Sequence, residues 1–375
     1  MTTSDGNDGA TTFCIPAATL KLHTADDVQK YVDEINAMEI VTEFRFSGNS
    51  IGVEASEALA KALSAHKTIE KADLSDMFTG RLKTEVPISI GHFVECLIDQ
   101  PNLKEIDLSD NAFGPVGAEP LVKLLVNNTS ISTIILRNNG LGIGGGKYIA
   151  DALMQIPVPS NLRTIIIGRN RLESQGAEYL SKAFELHKDL ERVCMPQNSI
   201  RPEGIDTVLK SIRGCSKLVE LDLQDNTFTL VGSKACAKYL PGWPKLKVLN
   251  IGECLLGAEG CRLVVTALSD THSSLQECLL SYNEMDVAGV KLIPAMLKGK
   301  TELTKLELNG NAFEAESAEV HAVMDVLRSL GKVDVLDELD DMELPSDEED
   351  EDVEEAGSEH EDKEVDELTN LVKKL

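Results

Sequence analysis

One glycine-rich stretch of this sequence approaches the pattern of a phosphate-binding loop. Residues 140–147 are Gly-Leu-Gly-Ile-Gly-Gly-Gly-Lys, and backbone N–H groups in such a loop can surround a phosphate. The pattern also requires glycine at the first conserved position and a hydroxyl residue after the lysine, but these positions hold Leu141 and Tyr148. The stretch therefore predicts a tight connection between a strand and a helix.

No other pattern in the sequence indicates a catalytic or metal site. The 7 histidines have no His-Glu-x-x-His spacing, and the 8 cysteines include no Cys-x-x-Cys pair. Metal sites and nucleophile motifs require such local arrangements. We therefore expect no cofactor of the protein's own, no enzyme activity on a substrate of its own, and cysteines that serve as small apolar side chains.

The basic residues Arg81 and Lys83 lie in a segment, residues 77–87, that is about six residues longer than its counterparts elsewhere in the sequence. We call this segment the overlong loop. An inserted loop on a regular scaffold is a common place for function. An insertion that is tolerated without a function would give the same spacing, so both interpretations stay open at this point.

A second candidate set stands immediately before a recurring asparagine, and we call it the rim row. Its members are Asp76, Asp110, Asn138, Arg169, Gln197, Asp225 and Glu253. The row is mostly acidic and is interrupted by Asn138 and Arg169, with Arg171 nearby. Its members are not needed by an apolar core, so the row is either a partner-binding surface or a solvated face.

The element that must position these residues is a repeat of apolar-x-x-apolar-x-apolar-x-x-Asn-x-apolar. The first apolar residues of its copies are Val41, Ile69, Leu103, Ile131, Leu162, Leu190, Leu218, Leu246, Leu275 and Leu303. Most steps are 28 residues, which is typical of leucine-rich repeats. The alternating pair at the fourth and sixth positions predicts a strand, and the following segment predicts a helix.

We therefore expect an α/β leucine-rich-repeat solenoid, a ribonuclease-inhibitor-like crescent with a parallel sheet on its concave face and helices on its convex face. The expected domains are a disordered segment (1–12), a repeat domain (13–335) and an acidic disordered tail (336–375). The repeat domain would hold an N-terminal cap, which includes residues 20–38, and about ten repeats. The recurring asparagines, which would bond backbone groups of adjacent turns, are Asn49, Asn111, Asn139, Asn170, Asn198, Asn226, Asn283 and Asn311, with Met77 and Cys254 as substitutes.

Most of the acidity of the chain lies near its end. Residues 337–367 hold 19 Asp or Glu against one Lys and so supply −18 of the net charge of −27. Such a block cannot bury enough apolar surface to offset its ordering entropy. It serves either as contact to a basic protein or as a solubilising appendage. The sequence has no signal-peptide or membrane-span pattern, so we expect a cytoplasmic protein, with a perinuclear position as an alternative.

Several strings beyond the repeat consensus resemble the Ran GTPase-activating protein family. They are residues 110–115, 138–142, 168–173, 197–204, 223–229, 78–83 and 336–343. The resemblance implies a protein that binds GTP-loaded Ran, with a Ran-binding protein as a further partner, and accelerates hydrolysis of the bound GTP. It also implies action on GTP and Mg held by that partner, a monomer, and no contact with nucleic acid or membrane.

The resemblance also implies roles for individual residues. Asn138 matches the family position that orients the glutamine of Ran, while Arg81 would supply anchoring and electrostatic support. Lys83, Arg169 and Arg171 would be secondary contacts. The carboxylates of the rim that would meet basic surface are Asp76, Asp110 and Asp225.

Two other functions share much of this sequence pattern. A non-catalytic repeat inhibitor or scaffold that caps a basic protein would explain the repeats and the charge. An acidic histone-binding repeat protein would explain the repeats and the tail, but it gives no reason for the overlong loop.

Overall fold

The computed structural model describes residues 11–269 and 271–342. Contacts divide the chain into two compact units, with the division in sequence after Asn198. In both units a short strand, a loop and a helix alternate along the chain. The predicted leucine-rich-repeat fold, with parallel strands and helices, is confirmed.

The first unit contains the N-terminal cap and the repeats up to Asn198. Its elements are β1 (Thr12–Cys14), β2 (Lys21–Leu22), α1 (Ala25–Ala37), β3 (Glu43–Arg45), β4 (Ser50–Ile51), α2 (Val53–Leu63), β5 (Lys71–Asp73), α3 (Val86–Ile98), β6 (Glu105–Asp107), α4 (Gly114–Asn127), β7 (Thr133–Ile135), α5 (Gly142–Gln155), β8 (Thr164–Ile166), α6 (Glu173–Phe184) and β9 (Arg192–Cys194). Strands β1, β3 and β5 to β9 pair in parallel in that order, while β2 and β4 form a separate parallel pair. The register is constant, so Ile106 pairs with Ile134 and Ile134 with Ile165.

The second unit continues the same alternation. Its elements are α7 (Pro202–Ile212), β10 (Glu220–Asp222), α8 (Thr229–Tyr239), a short 3-10 helix (Leu240–Gly242), β11 (Val248–Asn250), α9 (Gly257–Leu268), β12 (Glu277–Leu279), α10 (Val287–Val290), α11 (Ile293–Leu297), β13 (Lys305–Glu307) and α12 (Ala318–Ser329). Strands β10 to β13 pair in parallel in sequence order.

The core follows the predicted apolar positions. The first apolar residue of every repeat, from Val41 to Leu303, is at most 6% exposed. Helices lie close to one another because small residues face the neighbouring repeat. A Cβ at Gly146 of α5, for example, would lie 2.8 Å from Leu172 Cδ2 at the start of α6.

The recurring asparagines form a buried hydrogen-bond ladder, as the sequence predicts. Asn139 is 0% exposed, and its Nδ2 donates to the carbonyl oxygens of Leu108 (2.9 Å) and Arg137 (3.1 Å). Its Oδ1 accepts from the backbone N–H of Asn111 (3.0 Å). Met77 takes the ladder position in the overlong copy, and its side chain has no carboxamide to bond to the backbone. Its backbone N–H donates to Asn111 Oδ1 (2.8 Å).

A second set of donors, which the sequence analysis missed, ties helix ends to the following repeat. The bonds run from His66 Nε2 to Ile35 O (3.0 Å), Asn128 Nδ2 to Leu97 O (3.0 Å), His187 Nε2 to Leu153 O (2.9 Å), Trp243 Nε1 to Ile212 O (3.0 Å), His272 Nε2 to Leu240 O (3.1 Å) and Lys300 Nζ to Leu268 O (2.8 Å). All six donors are buried. They give an additional partner to carbonyls at helix ends, where the N–H that a continuing helix would supply is missing. Most of these carbonyls also accept the backbone N–H three residues further along. We call this set the helix-end donors.

The packed structure extends past the expected boundary at residue 336. Leu336 pairs in parallel with Leu306 of β13, and Asp337 accepts from the backbone N–H groups of Leu308 (2.8 Å) and Asn309 (3.0 Å). Residues 336–341 therefore close the last repeat and are not disordered, because Leu336 takes an apolar strand position. Of the segment 1–12, which was predicted to be disordered, residues 1–10 lie outside the described residues, but Thr12 belongs to β1 and pairs with Glu43. The acidic tail from residue 343 also lies outside the described residues.

Of the eight cysteines, all except Cys14 are buried and none forms a disulfide, in accord with their predicted use as small apolar side chains. Over residues 11–269 and 271–342, His, Cys, Asp and Glu side chains form no cluster that could hold a metal ion. Among the described helices, none is both long and apolar enough to cross a membrane.

Candidate functional site

Every member of the rim row has a left-handed backbone, with φ between 42° and 62°. This conformation turns the chain at the end of each strand and lets the rim N–H bond to the next repeat. Asn138 N donates to Gly168 O (2.9 Å), and Arg169 N donates to Pro196 O (2.8 Å). Asn and Asp tolerate this conformation, but Arg, Gln and Glu adopt it at a cost. The repeat imposes the conformation and leaves the rim side chains at the surface of the loop.

Asn138 is exposed, while the adjacent ladder residue Asn139 is buried. Asn138 Nδ2 donates to Asp110 Oδ1 at 2.8 Å, across one repeat. This bond fixes the carboxamide and leaves its oxygen, Oδ1, as a hydrogen-bond acceptor at the surface. Asn138 is thus an oriented amide that a partner can reach.

Arg81 does not extend from the overlong loop but folds back on the N-terminal cap. Its NH2 donates to the carbonyl oxygens of Leu22 (3.0 Å) and Ser50 (2.6 Å), and its NH1 donates to His23 Nδ1 (2.9 Å). Its Nε is buried and has no hydrogen-bond partner among the described residues. Burial lowers the pKa of the guanidinium, an effect that Glu85 and Asp27 oppose.

A groove of about 380 Å³ separates the overlong loop from the loop that follows β6. Lys83 and Arg81 lie on one wall, and Asp110 lies on the other. Since Asp110 also accepts the hydrogen bond from Asn138, the oriented amide lies next to a residue that lines the groove. The structure thus brings together Arg81, Lys83, Asp110 and Asn138, which the sequence analysis singled out separately.

The carboxylates of Asp73, Asp107 and Asp110 form an acidic face beside this groove. Burial raises the pKa of Asp107, and the nearby carboxylates of Asp73 and Asp110 raise it further, although hydrogen bonds from Ser109 oppose the shift. Closely spaced carboxylates repel one another. This face therefore favours a positively charged partner.

The other predicted contacts lie on neighbouring loops. Asp76 is exposed and accepts a hydrogen bond from Thr79 Oγ1 (2.9 Å) at the base of the overlong loop. Arg169 and Arg171 are exposed on the loop after β8, the repeat that follows Asn138. Asp225 belongs to the second unit, where it is half-buried on the loop after β10.

Tyr282 takes the rim position of its own repeat, immediately before the ladder residue Asn283, although it was not included in the predicted rim row. Its φ is 54°, and its hydroxyl donates to Asp341 Oδ2 at 2.7 Å. This bond raises the pKa of Tyr282 to about 12. The start of the acidic segment is thus fastened to the rim of the second unit.

The glycine-rich stretch is a strand-to-helix connection, as predicted. Helix α5 begins at Gly142, directly after the loop that carries Asn138 and Gly140. The ammonium group of Lys147 forms an ion pair with Asp151 one turn further along the same helix. Lys147 is therefore not directed at a phosphate site in this loop.

Comparison with known proteins identifies both the repeat and the relatives of the chain. A family model described as "Leucine Rich repeat" matches residues 99–122 and 214–235. Ran GTPase-activating protein 1 of Saccharomyces cerevisiae is 37% identical over 322 residues, which cover 81% of this chain and 79% of the relative. Ran GTPase-activating protein 1 of Xenopus laevis is 37% identical over 89% of this chain and 59% of its own length. The Ran GTPase-activating protein of Drosophila melanogaster is 33% identical over 80% of this chain and 52% of its own length.

Proposed function

This chain belongs to the Ran GTPase-activating protein family, and on that premise we propose that it accelerates hydrolysis of GTP bound to Ran. The observation that carries the proposal is the exposed carboxamide of Asn138, which Asp110 holds in one orientation beside a charged groove. In this role the protein is an activator. The bond that breaks is in the GTP, which the partner holds together with Mg.

Asn138 suits the part of the reaction that a small GTPase performs poorly alone. Intrinsic hydrolysis is slow because the glutamine that positions the attacking water is not held, and activators gain on the order of 10⁵-fold. The Nδ2 bond to Asp110 leaves Asn138 Oδ1 to accept from the amide of such a glutamine. Asn138 would therefore orient a group of the partner, and Asp110 would keep Asn138 in place.

The charges around Asn138 support a partner with a mixed surface. Asp76 and Asp110 would meet basic patches of GTP-loaded Ran. Asp225, which belongs to the second unit, would be a separate contact to a basic patch. Lys83, Arg169 and Arg171 are exposed cations that would meet its acidic or phosphate-bearing parts. A Ran-binding protein as an additional partner, a monomeric activator and a cytoplasmic location complete the proposal.

Single-turnover hydrolysis of Ran-bound GTP, measured with and without the protein, tests this function. We expect strong acceleration, and its absence at micromolar protein would overturn the proposal. A pull-down with GTP-loaded and GDP-loaded Ran provides a second test. Equal binding of both forms would indicate a scaffold.

Asn138→Ala tests the site within that assay. Its matched control is Asn161→Ala, because Asn161 is an exposed asparagine that precedes strand β8 instead of following a strand. We expect Asn138→Ala to lose at least a factor of about 100 in rate, as for removal of one preorganised hydrogen-bonding group. Equal rates for the two variants would contradict the role of Asn138.

A further inference from the structure

The guanidinium of Arg81 occupies a socket built from residues about 30 to 60 positions earlier in the chain. Two of its walls are backbone carbonyls, Leu22 O and Ser50 O, and the third is His23 Nδ1. Because arginine has only donors, the bond to His23 requires an unprotonated Nδ1. The three bonds fix the fork of the guanidinium on both of its terminal nitrogens.

Gly52 provides the floor of this socket. A Cβ at Gly52 would lie 2.9 Å from Arg81 NH1 and 2.9 Å from His23 O, too close for either contact. The backbone of Gly52 has φ −86°, so its conformation does not itself demand glycine. The close approach of the guanidinium and of His23 is what excludes a side chain there.

Besides the socket, two further hydrogen bonds connect residues 50 and 51 to the overlong loop. Ile51 N donates to Met77 O (2.9 Å), and Ser50 Oγ donates to Thr79 O (2.8 Å). These two bonds hold the first residues of the loop. Arg81 is the side chain that continues the attachment toward Lys83 and the groove.

We propose that Arg81 is a positioning residue, which fastens the overlong loop into a socket of Gly52, His23 and the Leu22 and Ser50 carbonyls and so holds the groove wall that receives Ran. This inference rests on the proposed function for its consequence, but the attachment itself is a property of the protein alone. Lysine cannot replace it fully, since a single ammonium does not match the planar fork of the guanidinium.

Hydrogen exchange of the free protein tests the attachment without any partner. The relevant amides are those of Arg81, Leu82 and Glu85, which bond within the loop. In Arg81→Ala we expect them to exchange on the order of 10-fold or more faster, because the charge-assisted bonds to the partly buried carbonyls of Leu22 and Ser50 are lost. The matched control is Lys83→Ala, which removes a cation from the same loop but no socket bond. Unchanged exchange in Arg81→Ala would overturn the attachment.

A double-variant cycle tests the consequence in the hydrolysis assay. Gly52→Ala keeps Arg81 but disrupts the socket, because the added Cβ meets both the guanidinium and His23 O. His23→Ala is a gentler variant that removes one acceptor. If Arg81 acts from its socket, Gly52→Ala shows the same changes in KM and in saturating rate as Arg81→Ala. The double variant then has the same KM and saturating rate as each single variant. His23→Ala shows a smaller change in the same direction.

If Arg81 instead leaves the socket to contact the partner, Gly52→Ala retains the wild-type rate while Arg81→Ala loses it, and the inference is overturned. Thermal unfolding of each variant identifies any smaller folded fraction. Such a fraction lowers the apparent saturating rate in proportion but leaves KM unchanged. Failure of the proposed function is distinct, because the wild-type protein then gives no acceleration although the exchange result stands.

Discussion

Asn138 and Asn139 are adjacent in sequence and identical in type, yet the structure assigns them opposite consequences when each is changed to alanine. Asn139→Ala leaves the buried N–H of Asn111 without its acceptor. It also removes one of two hydrogen bonds to the carbonyl of Leu108, which keeps Asn111 Nδ2, and one of two to that of Arg137, which keeps the N–H of Asp110. A buried unsatisfied N–H costs about 1–3 kcal/mol and each of the two other lost bonds about 0.5–1.5 kcal/mol, so we expect a loss of roughly 2–6 kcal/mol in unfolding free energy.

Asn138→Ala removes only an exposed bond to Asp110 and places alanine at φ 51°. A left-handed alanine costs roughly 1–2 kcal/mol, so its stability loss is expected to be clearly smaller than that of Asn139→Ala. Its loss should fall instead on the activation of GTP hydrolysis.

Urea unfolding of the two variants, followed by circular dichroism, measures the first quantity, and the hydrolysis assay measures the second. Rates are compared at a temperature where Asn139→Ala remains folded. Equal stability losses, or a larger loss for Asn138→Ala, would refute the division between a ladder residue and a rim residue. Equal specific activities of the two folded variants would refute the functional half.

Three further outcomes follow from individual groups. Burial lowers the pKa of His272 to about 4 from an unfolded value of 6.5. The free energy of unfolding should therefore fall by roughly 3 kcal/mol as the pH drops from 6.5 toward 4. His272→Gln keeps a donor, so its urea midpoint should depend less on pH across that range. Because the pKa of Asp107 is raised, its charge costs stability at neutral pH, and Asp107→Asn should raise the thermal midpoint at pH 7 but not at pH 3, where both residues are neutral. Removal of residues 343–375, which carry most of the acidic block, should slow association with Ran in low salt in a stopped-flow experiment, with little effect at high salt; an equal effect at both would exclude steering.

The repeat and its buried positions could be predicted because residue type and spacing alone define them. Leu103, Ile131 and their counterparts recur at fixed intervals, and the ladder asparagine is the same residue in most copies. Asn138 could be singled out because it stands beside a ladder asparagine and also lies within a string that resembles the family.

The helix-end donors could not be predicted because their common property is a donor atom and not a residue type. His66, Trp243 and Lys300 are three different residue types, although each donates to a helix-end carbonyl. The Arg81 socket was also out of reach, since it joins residues 58 and 59 positions apart through backbone oxygens. The extension to residue 341 was hidden by the acidic composition around Leu336.

Both hydrogen-bond systems of the repeat point in one direction along the chain. His66 donates back to Ile35, and Asn139 donates back to Leu108, so a later repeat completes an earlier one. During synthesis, each newly made repeat would therefore lack some of its hydrogen bonds until its successor has formed. Within the described residues no further strand follows β13, and Asp337 takes the part of a successor by accepting the N–H groups of Leu308 and Asn309. Chain termination before Asp337 would leave an unfinished end, whereas termination after Asp341 would leave a closed one.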